Sequence, residues 1–163
     1  MLRKGFTVVE ILIVIVILSI LIGIAMASFK GMQNEARITK TRGDLKVLRL
    51  AVESYNKNYG YYPYPGADNC RMVTSTWGST LTSENAPIID RILKDSFSSG
   101  GNQEYQYMLS ADNRADANYY LIFSVGPDGA ADITHLKLNN STGSIECSVD
   151  DDIYETNGIG AQF

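Results

Sequence analysis

The sequence predicts an α+β fold, with one long N-terminal helix packed by its second half on a small antiparallel β-sheet. Three observations lead there. Residues 6–29 number 24, and Glu10 is the only charged one among them. Residues 31–58 hold no proline, and their apolar side chains fall into a helical period. Beyond Gly60 the pattern changes to short β-prone runs separated by turns.

The first stretch is long enough to cross a membrane. At 1.5 Å per residue it spans roughly 36 Å, against a hydrocarbon core of about 30 Å. A basic leader, Met1-Leu2-Arg3-Lys4-Gly5, precedes it. Basic residues ahead of an apolar span predict a cytoplasmic N-terminus, with everything after Phe29 outside. Two processing readings are open. Ala25-Met26-Ala27 mimics a secretory cleavage site after the apolar region. Gly5-Phe6-Thr7-Val8-Val9-Glu10 instead places a small residue, an aromatic and a carboxylate at fixed spacing before it. A carboxylate inside a span costs on the order of 3 kcal/mol, so Glu10 calls for a positive partner. One is the helix macrodipole in the first turn. Another is an α-ammonium on Phe6, which cleavage after Gly5 would create.

The helix is expected to continue past the span, to a total of about 50 residues. Leu45, Leu48, Val52, Tyr55 and Tyr59 form one stripe at steps of three and four, and Arg49 and Glu53 make an i,i+4 pair. Gly23, Gly31 and Gly43 are its weak points. Asn58-Tyr59-Gly60 ends it, with Pro63 and Pro65 just beyond. The expected organisation is a leader at 1–5, an apolar helix half at 6–29, an amphipathic half at 30–59 and a globular part at 60–163.

Composition narrows the function. The formal charge is −4, and without Arg3 and Lys4 there remain 12 basic and 18 acidic side chains. Phosphate binding needs clustered Lys and Arg, so nucleic acid is not an expected partner. Cys70 and Cys147 are the two cysteines. In an oxidising exterior one disulfide between them is the default expectation, since their separation fits no zinc or redox spacing.

Further along, residues 66–86 are polar and turn-rich, anchored by Cys70 and Trp77. Residues 86–94 read as a short helix, capped by Asn85, with Pro87 in its first turn and Ile88, Ile89, Ile92 and Leu93 on one face. Residues 105–109 and 119–125 read as strands, the second central. Residues 133–138 and 144–149 read as a strand pair joined by the turn 139–143, with Cys147 facing inward beside Ile145. Tyr55, Tyr59, Tyr61, Tyr62 and Tyr64 cluster at the helix end, as a packing collar between helix and sheet or, alternatively, a surface aromatic patch for contacts.

The Gly5–Glu10 motif with its apolar helix resembles the prepilin peptidase site of type IV pilins and type II secretion pseudopilins. The resemblance implies a pilin-like fold, cleavage between Gly5 and Phe6, and methylation of the new amine. It also implies that Glu10 neutralises the Phe6 amine of a neighbouring subunit during assembly. The tyrosine-rich turn ending Tyr62-Pro63 is similar to that of the major pseudopilin. Implied partners are a homopolymeric filament, other pseudopilins, the prepilin peptidase, an inner-membrane assembly platform with its ATPase, and membrane lipid before assembly.

A second motif is Ser124-Val125-Gly126-Pro127-Asp128-Gly129, followed by Asp132-Ile133 and by Asp150-Asp151-Asp152-Ile153. From the residues alone it reads more readily as a metal-free β-turn beside a solvated acidic loop than as a cation site. It also resembles the Ser-x-Gly-x-Asp-Gly element of major pseudopilins, which implies calcium, held here by Asp128, Asp151, Asp152 or Asp132. The loop is closed either by Asp132-Ile133 or, after an additional hairpin, by Asp152-Ile153. The family's Asp-Pro-Trp-Gly element is missing; Asp95 and Gly100-Gly101 stand near its place.

No catalytic motif is present: no Gly-x-Ser-x-Gly, His-Glu-x-x-His or phosphate loop, and His135 is the only histidine. The expected role is structural, as a type II secretion pseudopilus subunit. A type IV pilus subunit and a membrane-anchored binding protein or enzyme are the alternatives.

Overall fold

A computed structural model of the chain describes residues 7–65, 77–82, 87–98, 100, 103–130, 137–146, 151–158 and 160–161. The chain divides into two compact units, Met1–Ala36 and Arg37–Phe163. Helix α1 runs unbroken over Val8–Tyr59, 52 residues, including the positions of Gly23, Gly31 and Gly43. In the first unit every described side chain from Val8 to Met26 is exposed, as a sequence apolar on all sides requires when its environment lies outside the chain. This part is long and apolar enough to cross a membrane.

In the second unit the helix is one-sided. Leu45, Leu48, Ala51 and Val52 are buried and Tyr55 partly so, whereas Val47 and Leu50 face outward. The expected stripe is therefore the core face, except that Tyr59, 43% exposed, lies at its edge. The helix ends where glycine permits. Gly60 has φ +78°, and its N–H donates to the Asn56 carbonyl at 2.7 Å.

Strands β1 (Gln106–Leu109), β2 (Tyr120–Ser124) and β5 (Ile153–Thr156) form an antiparallel sheet in the order β1-β2-β5. The other strands, β3 (Lys137–Leu138), β4 (Ser144–Glu146) and β6 (Gly160–Ala161), form a second sheet in which β4 and β6 run parallel. β2 is buried along its whole length, the central position its composition predicts. Alternation splits the two faces of the first sheet. Tyr107, Leu109, Tyr120 and Ile122 pack on the helix stripe with Trp77 and Leu81, while Met108, Leu121 and Phe123 pack on the other side with Leu138. Trp77 stacks on Tyr107 at 4.2 Å between centroids and donates its indole N–H to the Tyr105 carbonyl at 2.8 Å.

Residues 87–94 are not helical, which corrects the expected short helix. The Ile88 and Ile89 amides both donate to the Leu81 carbonyl, at 2.9 and 3.3 Å, and Lys94 forms an isolated antiparallel bridge with Glu104. Ile88, Ile89 and Leu93 still reach the core. Apolar spacing that imitates one helix face here serves an irregular segment, because long-range bonds claim its amides. Asn85 and Ala86 lie outside the described residues.

The 139–143 turn forms as expected between β3 and β4. Asn139 Oδ1 accepts from the Ser141 and Thr142 amides, and the Gly143 N–H donates to the Asn139 carbonyl at 2.8 Å. Gly143 has φ +68°, and a Cβ there would lie 2.7 Å from the Tyr119 ring. The tyrosine collar splits in two. Tyr62 packs edge-on against Tyr120 at 5.2 Å, whereas Tyr55, Tyr59 and Tyr61 cluster at the helix end with the Arg114 guanidinium 4.1 Å from the Tyr61 centroid.

Candidate functional site

Two regions carry the candidate residues. At the helix start, Thr7 and Glu10 form a capping box. The Glu10 N–H donates to Thr7 Oγ1 at 3.2 Å, while Glu10 Oε2 accepts from the Thr7 N–H at 2.9 Å and from its hydroxyl at 3.0 Å. The Glu10 carboxylate thus sits in the first turn and satisfies the Thr7 amide, which no helical carbonyl reaches. Gly5 and Phe6 lie outside the described residues. The Thr-x-x-Glu spacing at 7–10 is a helix-start signature legible in the sequence, and it names Thr7 as a partner that the carboxylate spacing alone passes over.

The second region lies at one end of the first sheet. Ser124 stands opposite Ile153 in the β2–β5 register, so chain leaving β2 runs alongside chain approaching β5. This juxtaposition brings Asp151 to Gly126 and Asp128. The Asp128 N–H donates to Asp151 Oδ2 at 3.0 Å, and Asp128 Oδ1 accepts from the Ala130 N–H at 2.8 Å. Gly126 has φ +70°, and a Cβ on it would lie 2.6 Å from the Asp151 carbonyl oxygen and 2.7 Å from Asp151 Oδ1. Only glycine fits, on backbone conformation and on space alike. The turn closes with the Gly129 N–H donating to the Gly126 carbonyl at 3.2 Å.

Of the four candidate cation ligands, Asp151 meets Asp128 through the latter's backbone amide, Asp152 is adjacent and buried, and Asp132 lies outside the described residues. Asp151 Oδ1 is buried without a hydrogen-bond partner, although its sister oxygen has one. Among the described residues no three His, Cys, Asp or Glu side chains gather closely enough to hold a metal by themselves. A cation here would also draw on main-chain carbonyls, as calcium commonly does. Cys70 and Cys147, the expected disulfide, lie outside the described residues.

Behind the turn sits Asp95, 1% exposed, with Ser124 and Ser98 buried beside it. Sequence spacing marks Asp95 only by its nearness to a missing motif. Its burial comes from folding, and no local pattern announces it.

Comparison with known proteins bears on both regions. The description "Prokaryotic N-terminal methylation motif" matches residues 1–26, and "Type II secretion system (T2SS), protein G" matches residues 28–138. The chain belongs to the type II secretion system protein G family. Relatives named type II secretion system core protein G include one from Klebsiella pneumoniae, 30% identical over 130 residues, covering 78% of this chain and 86% of the relative. Another, from Vibrio cholerae, is 29% identical over 128 residues, covering 78% and 82%. One from Pseudomonas aeruginosa is 33% identical over 61 residues, 37% of this chain, and there the chain spans 43% of the relative's length. No solved structure gives a significant match. In this G family setting the long apolar helix and the small antiparallel sheet are those of a pilin-like α+β fold.

Proposed function

We propose that this chain is a structural subunit of a type II secretion pseudopilus, and that it works by polymerising rather than by catalysis. One observation carries the reading. A protein G globular part is joined to a helix whose first half is apolar on every side, exposed at every described position, and charged only at Glu10. Such a surface is stable in lipid or against sister helices, and a subunit that polymerises uses both in turn.

In this reading the chain inserts in the inner membrane with Arg3 and Lys4 in the cytoplasm and the globular part in the periplasm. Prepilin peptidase cleaves after Gly5 and the Phe6 amine is methylated. Glu10, held until then by Thr7, exchanges part of that cap for the Phe6 amine of a neighbour in the growing filament. Other pseudopilins and an assembly platform are its partners. The intact mass of the protein from a prepilin-peptidase-positive cell is expected to correspond to a chain beginning at Phe6. A product beginning after Ala27 would overturn the reading.

The turn at 124–129 is proposed to hold calcium. Asp128, Asp151 and Asp152 would supply carboxylates, with Asp132 as a further donor. The partnerless Asp151 Oδ1 and the glycine cradle at Gly126 fit a hard cation that prefers oxygen. A bound ion would offset the repulsion among these aspartates and hold β2 to β5. Calcium is expected to raise the melting temperature of the full chain in detergent relative to chelator; coincident curves would remove the site.

A further inference from the structure

We propose that Asp95, a buried carboxylate outside the acidic set, is the positioning residue of the 124–128 turn. It fixes the end of β2 in the shape that lets Asp128 meet Asp151. The consequence for calcium rests on the cation reading above; the consequence for the turn does not.

Among the described residues, the three donors that meet the Asp95 carboxylate come from two short segments. Oδ1 accepts from the Phe97 N–H at 2.9 Å and from the Ser124 hydroxyl at 2.8 Å, and Oδ2 accepts from the Val125 N–H at 3.1 Å. The main chain of Asp95 is itself anchored. Its N–H donates to the Gln103 carbonyl at 2.9 Å, and its carbonyl accepts from the Ser98 hydroxyl at 3.0 Å. Ser98 Oγ in turn accepts from the Gln103 N–H at 3.3 Å. A carboxylate removed from water is tolerated only when its oxygens are satisfied, and charged acceptors form the stronger bonds. Asp95 therefore imposes a definite path on the chain that satisfies it.

That path leads directly to the candidate site. The Val125 N–H points into the carboxylate, which sets the orientation of the peptide entering Gly126. The Gly126 N–H reaches Ser124 Oγ at 3.4 Å. Gly126 then turns at φ +70° against Asp151, and Gly129 comes down against the Phe97 carbonyl, 3.4 Å from where its Cβ would be. The turn is thus held from two sides, by Asp151 and by the segment 95–98. Asp95 touches none of the candidate ligands. It acts through the backbone between Ser124 and Gly126, much as outer-shell groups orient metal ligands elsewhere.

The test uses the full chain in detergent with Asp95→Asn. The amide keeps an acceptor for Phe97 and Ser124 but turns an NH2 towards the Val125 N–H, so one bond becomes an opposition of donors. In chelator, amide exchange at Val125, Gly126 and Asp128 to Ala130 is expected to accelerate by about tenfold or more, the loss of a charged acceptor's bond. The amides of 45–52 and 107–109 should keep wild-type rates. By calorimetric titration with calcium chloride the variant should bind about tenfold or more weakly. If the wild type binds no calcium, the cation reading fails and the exchange pattern alone decides the role of Asp95. Should Asp95→Asn not accumulate, Ser124→Ala, which deletes one hydroxyl, should show the same local acceleration. Unchanged exchange at 125–130, or acceleration spread evenly over helix and sheet, would overturn the proposal.

Discussion

The two halves of α1 share a backbone geometry and differ in where their side chains find partners. Between Val8 and Met26 every side chain is exposed and nearly all are apolar. From Arg37 onward one face is covered by the sheet and by Trp77, and the opposite face carries Val47 and Leu50 to the surface. A helix satisfies its own backbone, so its surroundings are chosen by side chains alone. The first half leaves that choice to surroundings outside its own chain. The second half has it made by its own chain.

The contrast can be broken from either end. Glu10→Leu, the largest expected effect, should abolish filament assembly, read as loss of sheared filaments and of export. It should leave the melting temperature of the purified chain unchanged, because Glu10 contributes nothing to the globular core. An assembling Glu10→Leu subunit would return the span to the role of a plain anchor. In the second half, Leu48→Ala should cost about 2–5 kcal/mol in urea unfolding, the range for a buried leucine leaving a cavity. Leu50→Ala, two residues on, on the opposite face and 67% exposed, should stay within about 0.5 kcal/mol. Equal losses at the two positions would contradict the one-sided helix.

Alkaline pH should sharpen the comparison further. Burial, with the charge of Asp44 or Glu53 adding to it, pushes the Tyr105 and Tyr120 hydroxyls well above the ordinary tyrosine range. Both donate to the helix, Tyr105 just before β1 to Asp44 at 2.9 Å and Tyr120 on β2 to Glu53 at 3.1 Å. The folded state therefore favours the neutral phenol. Its contribution is full below the unfolded value near 10 and is lost as pH rises above it. Melting of the globular part should fall from about pH 10 upward, and less steeply in Tyr120→Phe. Another small effect belongs to Arg49, which bridges Glu53 at 3.0 Å and Glu155 at 3.2 Å but has a side chain 43% exposed. Arg49→Met should cost under about 1 kcal/mol, and added salt should shrink that cost.

Local patterns made much of this legible. The stripe at 45, 48 and 52, the glycine stop at 60, the central run 120–124 and the Asn139–Gly143 turn are all short-range signals, and each forms. The segment 87–94 failed because its apolar spacing fits a helix and an irregular core insertion equally well. Only the Leu81 carbonyl, taking both isoleucine amides, decides between them. Strand β5 is four half-buried residues directly after an acidic run, and nothing local marks it until β2 is present to pair with it.

The sequence by itself determined the long helix, its division into an all-apolar and a one-sided half, and the lone carboxylate at its start. Periodicity, length and the charge at Glu10 are properties of consecutive residues. Only the tertiary structure decided which aspartate meets Asp128 and what holds that turn. Asp151 is brought in by a strand register across 23 residues, and Asp95 is driven into the interior from 30 residues upstream of the amide it binds. Hydrogen bonds and burial act on distance in space, and the chain supplies that distance only once it has folded.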